Sequence, residues 1–199
     1  MPLTVVGAGP GNIELLTQEA ICAIKDADMV AGFERIASDV KPIRNDVKTL
    51  KGISEILDLP IETKKVLVLA SGDPCFFGIT EFIKNKNIKI EKVITGISSM
   101  QYFMSKLQKQ WQALPFFSFH GRETDFTEMH SKESFFILTD KTNNPDIISA
   151  RLKEEGFKGR LFVGYNLSYP DESIEEYTIG DKIIVKSFLN TVLVQNEKY

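Results

Sequence analysis

The clearest indication of the fold is the run Val66-Leu67-Val68-Leu69-Ala70, which is followed directly by Ser71-Gly72-Asp73-Pro74. Five apolar residues without polar alternation are typical of a strand that is covered on both faces, as in a parallel sheet. The glycine, acidic residue and proline that follow indicate a turn into a helix. In open α/β sheets, ligands bind at the carboxyl ends of the strands. This stretch therefore predicts an α/β fold and the edge of the sheet at which a ligand would bind.

The turn itself allows two interpretations. Asp73 followed by Pro74 fits an N-cap and a first helical position, so helix capping alone could explain both residues. Gly72 is the stronger ligand candidate, because a residue without a side chain lets a ligand approach the backbone. Cys75 has no evident paired histidine, and we interpret it as a small packing residue rather than a nucleophile.

Two further glycine loops follow other apolar runs. Gly7-Ala8-Gly9-Pro10-Gly11 ends the first run of the chain, and Gly96-Ile97-Ser98-Ser99 comes shortly after Val93-Ile94. The first loop fails the dinucleotide pattern G-x-G-x-x-G at Asn12, and Pro10 lacks a backbone N–H that would face a pyrophosphate. Taken alone, this loop fits a tight structural turn as well as a binding role. Because three such loops end successive strands, we expect them to converge on one crevice.

The order of strand and helix signals predicts two α/β lobes, residues 1–112 and 116–199. The first lobe alternates apolar runs with helical segments over about residues 15–27, 76–84 and 98–107. Such alternation indicates a sheet of parallel strands with connecting helices.

The second lobe has a different pattern. A helix is marked by Asn144 as N-cap, Pro145 at the first position and Gly156 beyond the end. Two strand signals, near residues 174–179 and 188–195, have no helix between them. They predict a mixed sheet with an antiparallel edge hairpin.

Composition and charge exclude several classes of protein. The 199 residues are 43% hydrophobic, as in globular proteins, and no apolar stretch approaches the roughly 20 residues that cross a bilayer. We expect a cytoplasmic protein, because the start has no basic region of a signal peptide. The net charge of −3 argues against a protein that coats nucleic acid. Cys22 and Cys75 give no disulfide framework and no metal-ligand spacing, so we expect no protein-bound metal.

The three loops, in this order and spacing, resemble the tetrapyrrole methylase family, whose pattern has a G-x-G-P-G, a G-D-P and a G-I-[ST]-[SA] loop. The resemblance covers nearly the whole chain. Four further motifs narrow it to members that methylate C5 of a corrin precursor in cobalamin biosynthesis. Thr95, Tyr165 and Ser168 stand where a proline, an acidic residue and a glycine are common, but no loop is lost. The narrowing motifs are Ala31-Gly32-Phe33-Glu34-Arg35, Ser118-Phe119-His120-Gly121-Arg122, Leu138-Thr139-Asp140-Lys141 and Asn166-Leu167-Ser168-Tyr169-Pro170-Asp171-Glu172.

This resemblance implies the fold, the cofactor and the site. The implied fold is that of class III methyltransferases, with a parallel-sheet N-terminal lobe, a mixed-sheet C-terminal lobe, S-adenosylmethionine bound in a bent shape between them, and a homodimer. The implied substrate is an anionic tetrapyrrole, with neither nucleic acid nor a membrane as partner. Carried over by position, the residues expected to bind the cofactor are Pro10, Ser71, Gly72, Asp73, Phe76, Ser98, Ser99, Leu138, Leu167 and Thr191.

Three residues are candidates for binding the carboxylates of the substrate: Arg35, His120 and Arg122. A guanidinium pairs bidentately with a carboxylate, and we favour binding for Arg122. Arg35 is equally compatible with a solvated helix position, and His120 with a satisfied structural histidine. No residue is assigned a catalytic role.

Other functions fit parts of the sequence. Methylases of other corrin positions share the cofactor loops. A nicotinamide-dependent dehydrogenase needs the complete glycine pattern and an acid closing the second strand, where Ala31-Gly32 stands. A nucleotide-sensing module would show no turnover. In some relatives the C5-methylating unit is fused to a second methyltransferase that acts at C15 and removes a carboxylate. Because the last strand signal lies close to Tyr199, we expect a separate polypeptide, a loose partner, to supply that activity.

Overall fold

The computed structural model describes residues 3–119 and 125–197, which divide into two compact units, 1–99 and 100–199. The division comes earlier than the lobe boundary near residue 112 that the sequence suggested. Most of the helix after the third glycine loop therefore belongs to the second unit. Its residue Phe103 packs there against Gly164, where an added Cβ would lie 3.0 Å from the phenyl ring.

The first unit is a five-stranded parallel sheet in the order β3-β2-β4-β1-β5. All five residues of β4 are buried, as the unbroken apolar run predicted, and one apolar cluster packs on each face of the sheet. The elements are β1 Leu3–Gly7, α1 Gln18–Asp26, β2 Met29–Phe33, α2 Glu34–Asp39, β3 Lys48–Leu50, β4 Val66–Ala70, α3 Thr80–Asn85 and β5 Ile90–Ile94, with 3₁₀ turns at Ile13–Leu15 and Ile53–Asp58.

Two helices of this unit start later than the sequence indicated. The hydroxyl of Thr17 accepts a hydrogen bond from the Ala20 N–H at 3.1 Å, so Thr17 is the N-cap of α1. The start of α3 corrects the capping interpretation of Asp73, because α3 begins only at Thr80 and its N-cap is Ile79. The chain between Pro74 and Ile79 forms turns instead.

The second unit contains a mixed five-stranded sheet in the order β6-β7-β10-β8-β9. Strands β6 and β7 are parallel and the other pairs are antiparallel, which confirms the predicted mixed sheet. The elements are α4 Ser99–Lys106, β6 Phe116–Ser118, β7 Ser134–Leu138, α5 Pro145–Glu154, β8 Gly159–Tyr165, β9 Ser173–Thr178 and β10 Asn190–Asn196, with a 3₁₀ turn at Thr127–Ser131.

The predicted edge hairpin is wrong in its pairing, because β9 and β10 are not neighbours and β8 lies between them. Residues Val192, Leu193 and Val194 of β10 are at most 1% exposed, so this strand is covered on both faces and takes an interior position. Strand β9 is only partly buried and forms the edge.

Helix α5 has the ends that the sequence predicted. The side chain of Asn144 accepts hydrogen bonds from the N–H groups of Asp146 and Ile147, at 3.1 and 3.2 Å, and Pro145 is the first helical residue. Gly156, just past the end, has φ +85°. Within the described residues, no helix has the length and apolar character needed to cross a membrane.

Candidate functional site

The three glycine loops lie side by side at the carboxyl edge of the first sheet. Strands β4, β1 and β5 are adjacent and parallel, with Gly7 opposite Ala70 and Val6 opposite Ile94. The loops that leave these strands therefore start at one edge. The structure brings them together as the sequence predicted.

Glycine is required at two of these positions because the main chains are in contact. A Cβ added to Gly7 would lie 2.5 Å from the Gly96 nitrogen and 2.7 Å from the Gly72 oxygen. A Cβ added to Gly96 would lie 2.9 Å from the Gly7 Cα and would also clash with the Gly72 oxygen. The rim of the sheet is thus built from backbone atoms.

The first and second loops are joined by a short antiparallel bridge between Gly9 and Gly72. The Gly72 N–H donates to the Gly9 oxygen at 2.8 Å, and the Gly9 N–H donates to the Gly72 oxygen at 3.2 Å. Both residues are left-handed, with φ of +69° and +62°, a conformation that favours glycine. The sequence explained Gly72 by the approach of a ligand, whereas the structure adds a conformational reason for this glycine.

Asp73 joins the second loop to the third. Its Oδ1 accepts a hydrogen bond from the Cys75 N–H at 2.8 Å, closing the local turn. Its Oδ2 accepts from the Thr95 hydroxyl at 2.6 Å and from the Gly96 N–H at 3.2 Å. Thr95, which departs from the family pattern, therefore contributes a contact that a proline could not make. Sequence reasoning missed this role, although a hydroxyl residue beside the loop was a visible signal.

Arg35 reaches the same edge from α2. Its Nη2 donates to the Ser71 Oγ at 2.7 Å, and its Nη1 lies 3.4 Å from the Asp39 carboxylate. The side chain is 37% exposed. Arg35 is therefore tied to the second loop and to its own helix, while part of the guanidinium side chain still faces solvent.

The remaining predicted cofactor residues of the first unit lie in these loops or shortly after them along the chain. Pro10 is buried, and Ser98 is 3% exposed with its Cα 3.4 Å from where a Cβ on Gly72 would lie. Ser99 is half-buried. Phe76 meets the exposed Phe77 edge to face, with ring centroids 5.0 Å apart.

Leu138, Leu167 and Thr191, predicted in the second lobe, lie in the second unit. Leu138 and Thr191 are paired in register across β7 and β10. The Thr191 hydroxyl is buried and donates to the Ile137 oxygen at 2.9 Å. Leu167 is 5% exposed and packs on Gly164, where a Cβ would lie 2.8 Å from its side chain.

Two of the predicted substrate residues, His120 and Arg122, lie outside the described residues. Among the residues that are described, there is no group of three or more His, Cys, Asp or Glu side chains that could hold a metal ion. The described part of the site therefore consists of backbone, small and apolar side chains, the Asp73 carboxylate and the Arg35 guanidinium.

Comparison with known families decides the relationship. The family described as Tetrapyrrole (Corrin/Porphyrin) Methylases matches residues 2–183. The chain belongs to this family. The sequence-based resemblance is thereby confirmed.

Several curated relatives match over nearly their whole length. The cobalt-precorrin-7 C(5)-methyltransferase of Salmonella typhimurium is 31% identical over 201 residues, which is 98% of this chain and 100% of the relative. The probable cobalt-precorrin-7 C(5)-methyltransferase of Methanocaldococcus jannaschii is 31% identical over 197 residues, 89% of this chain and 92% of the relative.

Solved structures share the fold. The cobalamin biosynthesis precorrin-6Y methylase of Archaeoglobus fulgidus superposes with a TM-score of 0.78 and 21% identity, covering 99% of both chains. The uroporphyrin-III C-methyltransferase of Thermus thermophilus, complexed with S-adenosylhomocysteine, gives a TM-score of 0.79 at 20% identity and covers 97% of both chains. The α/β fold with one parallel and one mixed sheet is thus that of the class III methyltransferases, as predicted.

Proposed function

We propose that this protein transfers a methyl group from S-adenosylmethionine to C5 of cobalt-precorrin-7 in cobalamin biosynthesis. The observation that carries the proposal is the match to the Salmonella enzyme of that name along the whole of both chains. The converging glycine loops supply a site of the kind that such a reaction needs.

The residues at this edge fit S-adenosylmethionine better than a dinucleotide. A pyrophosphate needs backbone N–H donors, but those of Gly9 and Gly72 bind each other's carbonyls and Pro10 has none. A rim of glycines still allows close approach of a ligand to main-chain atoms. We place the cofactor against the second loop, with Pro10, Ser71, Gly72, Asp73, Phe76, Ser98 and Ser99 around it, and assign Leu138, Leu167 and Thr191 as further contacts.

When bound, the cofactor supplies an electrophilic methyl group on a sulfonium. The protein needs no general acid, because the departing thioether takes up no proton. An enamine-like carbon of the reduced macrocycle is the nucleophile, and the proton it later loses can pass to water or a weak base. The contribution of the protein is to hold the two reactants in line, an effect that can reach about 7–11 kcal/mol.

We assign recognition of the substrate carboxylates mainly to arginine side chains. We assign Arg35 to a carboxylate of the substrate, because its side chain lies at the loop edge and is 37% exposed. His120 and Arg122 are proposed for the same role from sequence, since both lie outside the described residues.

Three further features belong to the proposal. The protein acts in the cytoplasm as a homodimer. It adds a single methyl group and releases no carbon dioxide. A separate polypeptide, a loose partner of this protein, supplies the C15 activity that the name of the decarboxylating precorrin-6Y C(5,15)-methyltransferase of Sinorhizobium includes.

The test is product analysis with a methyl-labelled cofactor. Purified protein is incubated with S-adenosylmethionine and cobalt-precorrin-7, and the product is examined by mass spectrometry and carbon NMR. One labelled methyl at C5, absent without the protein, is the expected result. Label at another carbon, two added methyls or loss of a carboxylate would overturn the C5 assignment, and binding without turnover would favour a sensing module.

A further inference from the structure

The segment Asn166-Leu167-Ser168 after β8 has an unusual backbone. Asn166 has φ +45° and Ser168 has φ +73°, both in the left-handed region that residues with side chains rarely adopt. Such residues persist where the surrounding structure fixes them, and they cluster at ligand sites. The contacts of these two residues therefore show what fixes the segment.

Asn166 is held from two sides. Its Nδ2 donates to the Asp171 carboxylate at 2.7 Å, and its Oδ1 accepts from the Ser187 hydroxyl at 2.6 Å. Its main-chain N–H donates to the Leu189 oxygen at 2.9 Å. These bonds fix the start of the segment against the chain that leads into β10.

Ser168 is held by Glu172. The Ser168 N–H donates to the Glu172 Oε2 at 2.6 Å, and the Glu172 Oε1 lies 3.1 Å from the Lys106 Nζ of α4. The Glu172 side chain is only 19% exposed. Its burial acts to raise the pKa of this carboxyl, but hydrogen bonds from Ser168, Tyr102 and Lys106 outweigh the burial and lower the pKa. Glu172 is therefore a charged acceptor fixed between the segment and α4.

Between these two fixed residues, the polar main-chain groups of Leu167 are available. The residue is 5% exposed and its side chain packs on Gly164. Within the described residues, neither its N–H nor its C=O has a hydrogen-bond partner. Buried main-chain polar groups are almost always paired with protein, water or a ligand, so these two groups are candidates to bind one.

We propose that Glu172 is a positioning residue that holds the Leu167 main chain in the conformation that binds S-adenosylmethionine. The inference rests on the proposed function, because it takes the cofactor as the partner of Leu167. Glu172 acts through Ser168 and itself contacts no reactant. The Lys106 ion pair fixes the carboxylate so that one oxygen remains directed at the Ser168 N–H.

The experiment compares Glu172→Ala and Glu172→Gln with the unchanged protein and with Glu176→Gln. Glu176 is a matched control, because it forms an ion pair with Arg160 at 2.6 Å on the exposed face of β9. Calorimetry with S-adenosylhomocysteine should show a roughly ten-fold weaker affinity for Glu172→Ala, near the lower end of what hydrogen bonds to charged groups contribute. Glu172→Gln keeps an acceptor oxygen and should lose about two- to three-fold. Glu176→Gln should bind normally.

Steady-state kinetics separates positioning from general damage. The KM for the cofactor should rise in Glu172→Ala, while kcat at saturating cofactor and the KM for the corrin substrate stay unchanged. Unaltered cofactor affinity in Glu172→Ala, or an equal loss in Glu176→Gln, would overturn the inference. If Glu172→Ala does not fold, the same comparison is made with Glu172→Gln, and an affinity equal to that of the unchanged protein overturns the inference.

Failure of the proposed function would look different. In that case the unchanged protein itself would not bind S-adenosylhomocysteine. Hydrogen exchange of the amides in residues 166–169 then tests the positioning role directly. Faster exchange in Glu172→Ala than in Glu176→Gln supports it, and equal exchange overturns it.

Discussion

Removing the hydrogen bond between Asp73 and Thr95 should lower both the free energy of unfolding and the affinity for the cofactor. The carboxylate of Asp73 accepts three hydrogen bonds, from the Cys75 N–H, the Thr95 hydroxyl and the Gly96 N–H. Hydrogen bonds to charged groups contribute about 1.5–3 kcal/mol each, but one carboxylate shared by three donors in a half-exposed position gives less than their sum. Asp73→Ala should therefore lower the free energy of unfolding by about 2 kcal/mol.

Thr95→Val isolates one of the three bonds. It should cost about 1 kcal/mol, because the Thr95 hydroxyl is exposed and water can replace part of the interaction. The double variant should lose about 2 kcal/mol rather than 3, which leaves a coupling energy of about 1 kcal/mol. Urea denaturation of the four proteins measures these free energies.

Cofactor affinity distinguishes a loop contact from a direct ligand contact. If Asp73 acts by joining the loops, both single variants should weaken S-adenosylhomocysteine binding, and the double variant should be little worse than Asp73→Ala. Strictly additive unfolding energies, or a loss of binding confined to Asp73→Ala with Thr95→Val unaffected, would refute this reasoning. The second result would indicate that Asp73 contacts the cofactor directly and does not act through Thr95.

Three further predictions use other parts of the chain. Gly72→Val should abolish cofactor binding, because a β-branched residue is strained at the backbone φ of +62° and its Cβ approaches Ser98. Gly156→Val is the control, because Gly156 also has a positive φ, +85°, but open space around it. Arg44→Ala should destabilise the protein by about 1.5–3 kcal/mol in urea, because its Nη1 donates to the oxygens of residues 24 and 27 at the end of α1; an unchanged unfolding midpoint would contradict this. Tyr165→Phe should leave stability at neutral pH equal or slightly higher, since the buried Tyr165 hydroxyl has no hydrogen-bond partner among the described residues. Burial, and then the charge of Glu175, raises the Tyr165 pKa to about 12. The unchanged protein should therefore lose stability as pH rises from about 10 to about 12, and Tyr165→Phe should lose less over the same range. Equal losses in alkaline unfolding curves would count against this.

The alternation of apolar runs and helices was sufficient to predict the parallel sheet, because each signal is local. The buried run at 66–70 became the central strand β4, and Asn144 and Pro145 start α5 as predicted. The prediction of an edge hairpin was wrong because strand pairing depends on which face of each strand is covered. The sequence near β10 does not show which strand will lie beside it. The predicted start of α3 was wrong because the chain after a G-D-P sequence can continue in turns as well as in a helix.

The class of fold, the three glycine loops and their common edge could be predicted without a structure, because they depend on periodicity and on residues that fit only particular turns. How the loops are joined is visible only in the folded protein. Asp73 meets Thr95 and Gly96 across more than twenty residues, and Glu172 meets Lys106 across more than sixty. Residues so far apart along the chain carry no local pattern that identifies their partner. Their pairing follows from the order of strands in the sheet and from the packing of α4 within the second unit, and both arise only when the chain is folded.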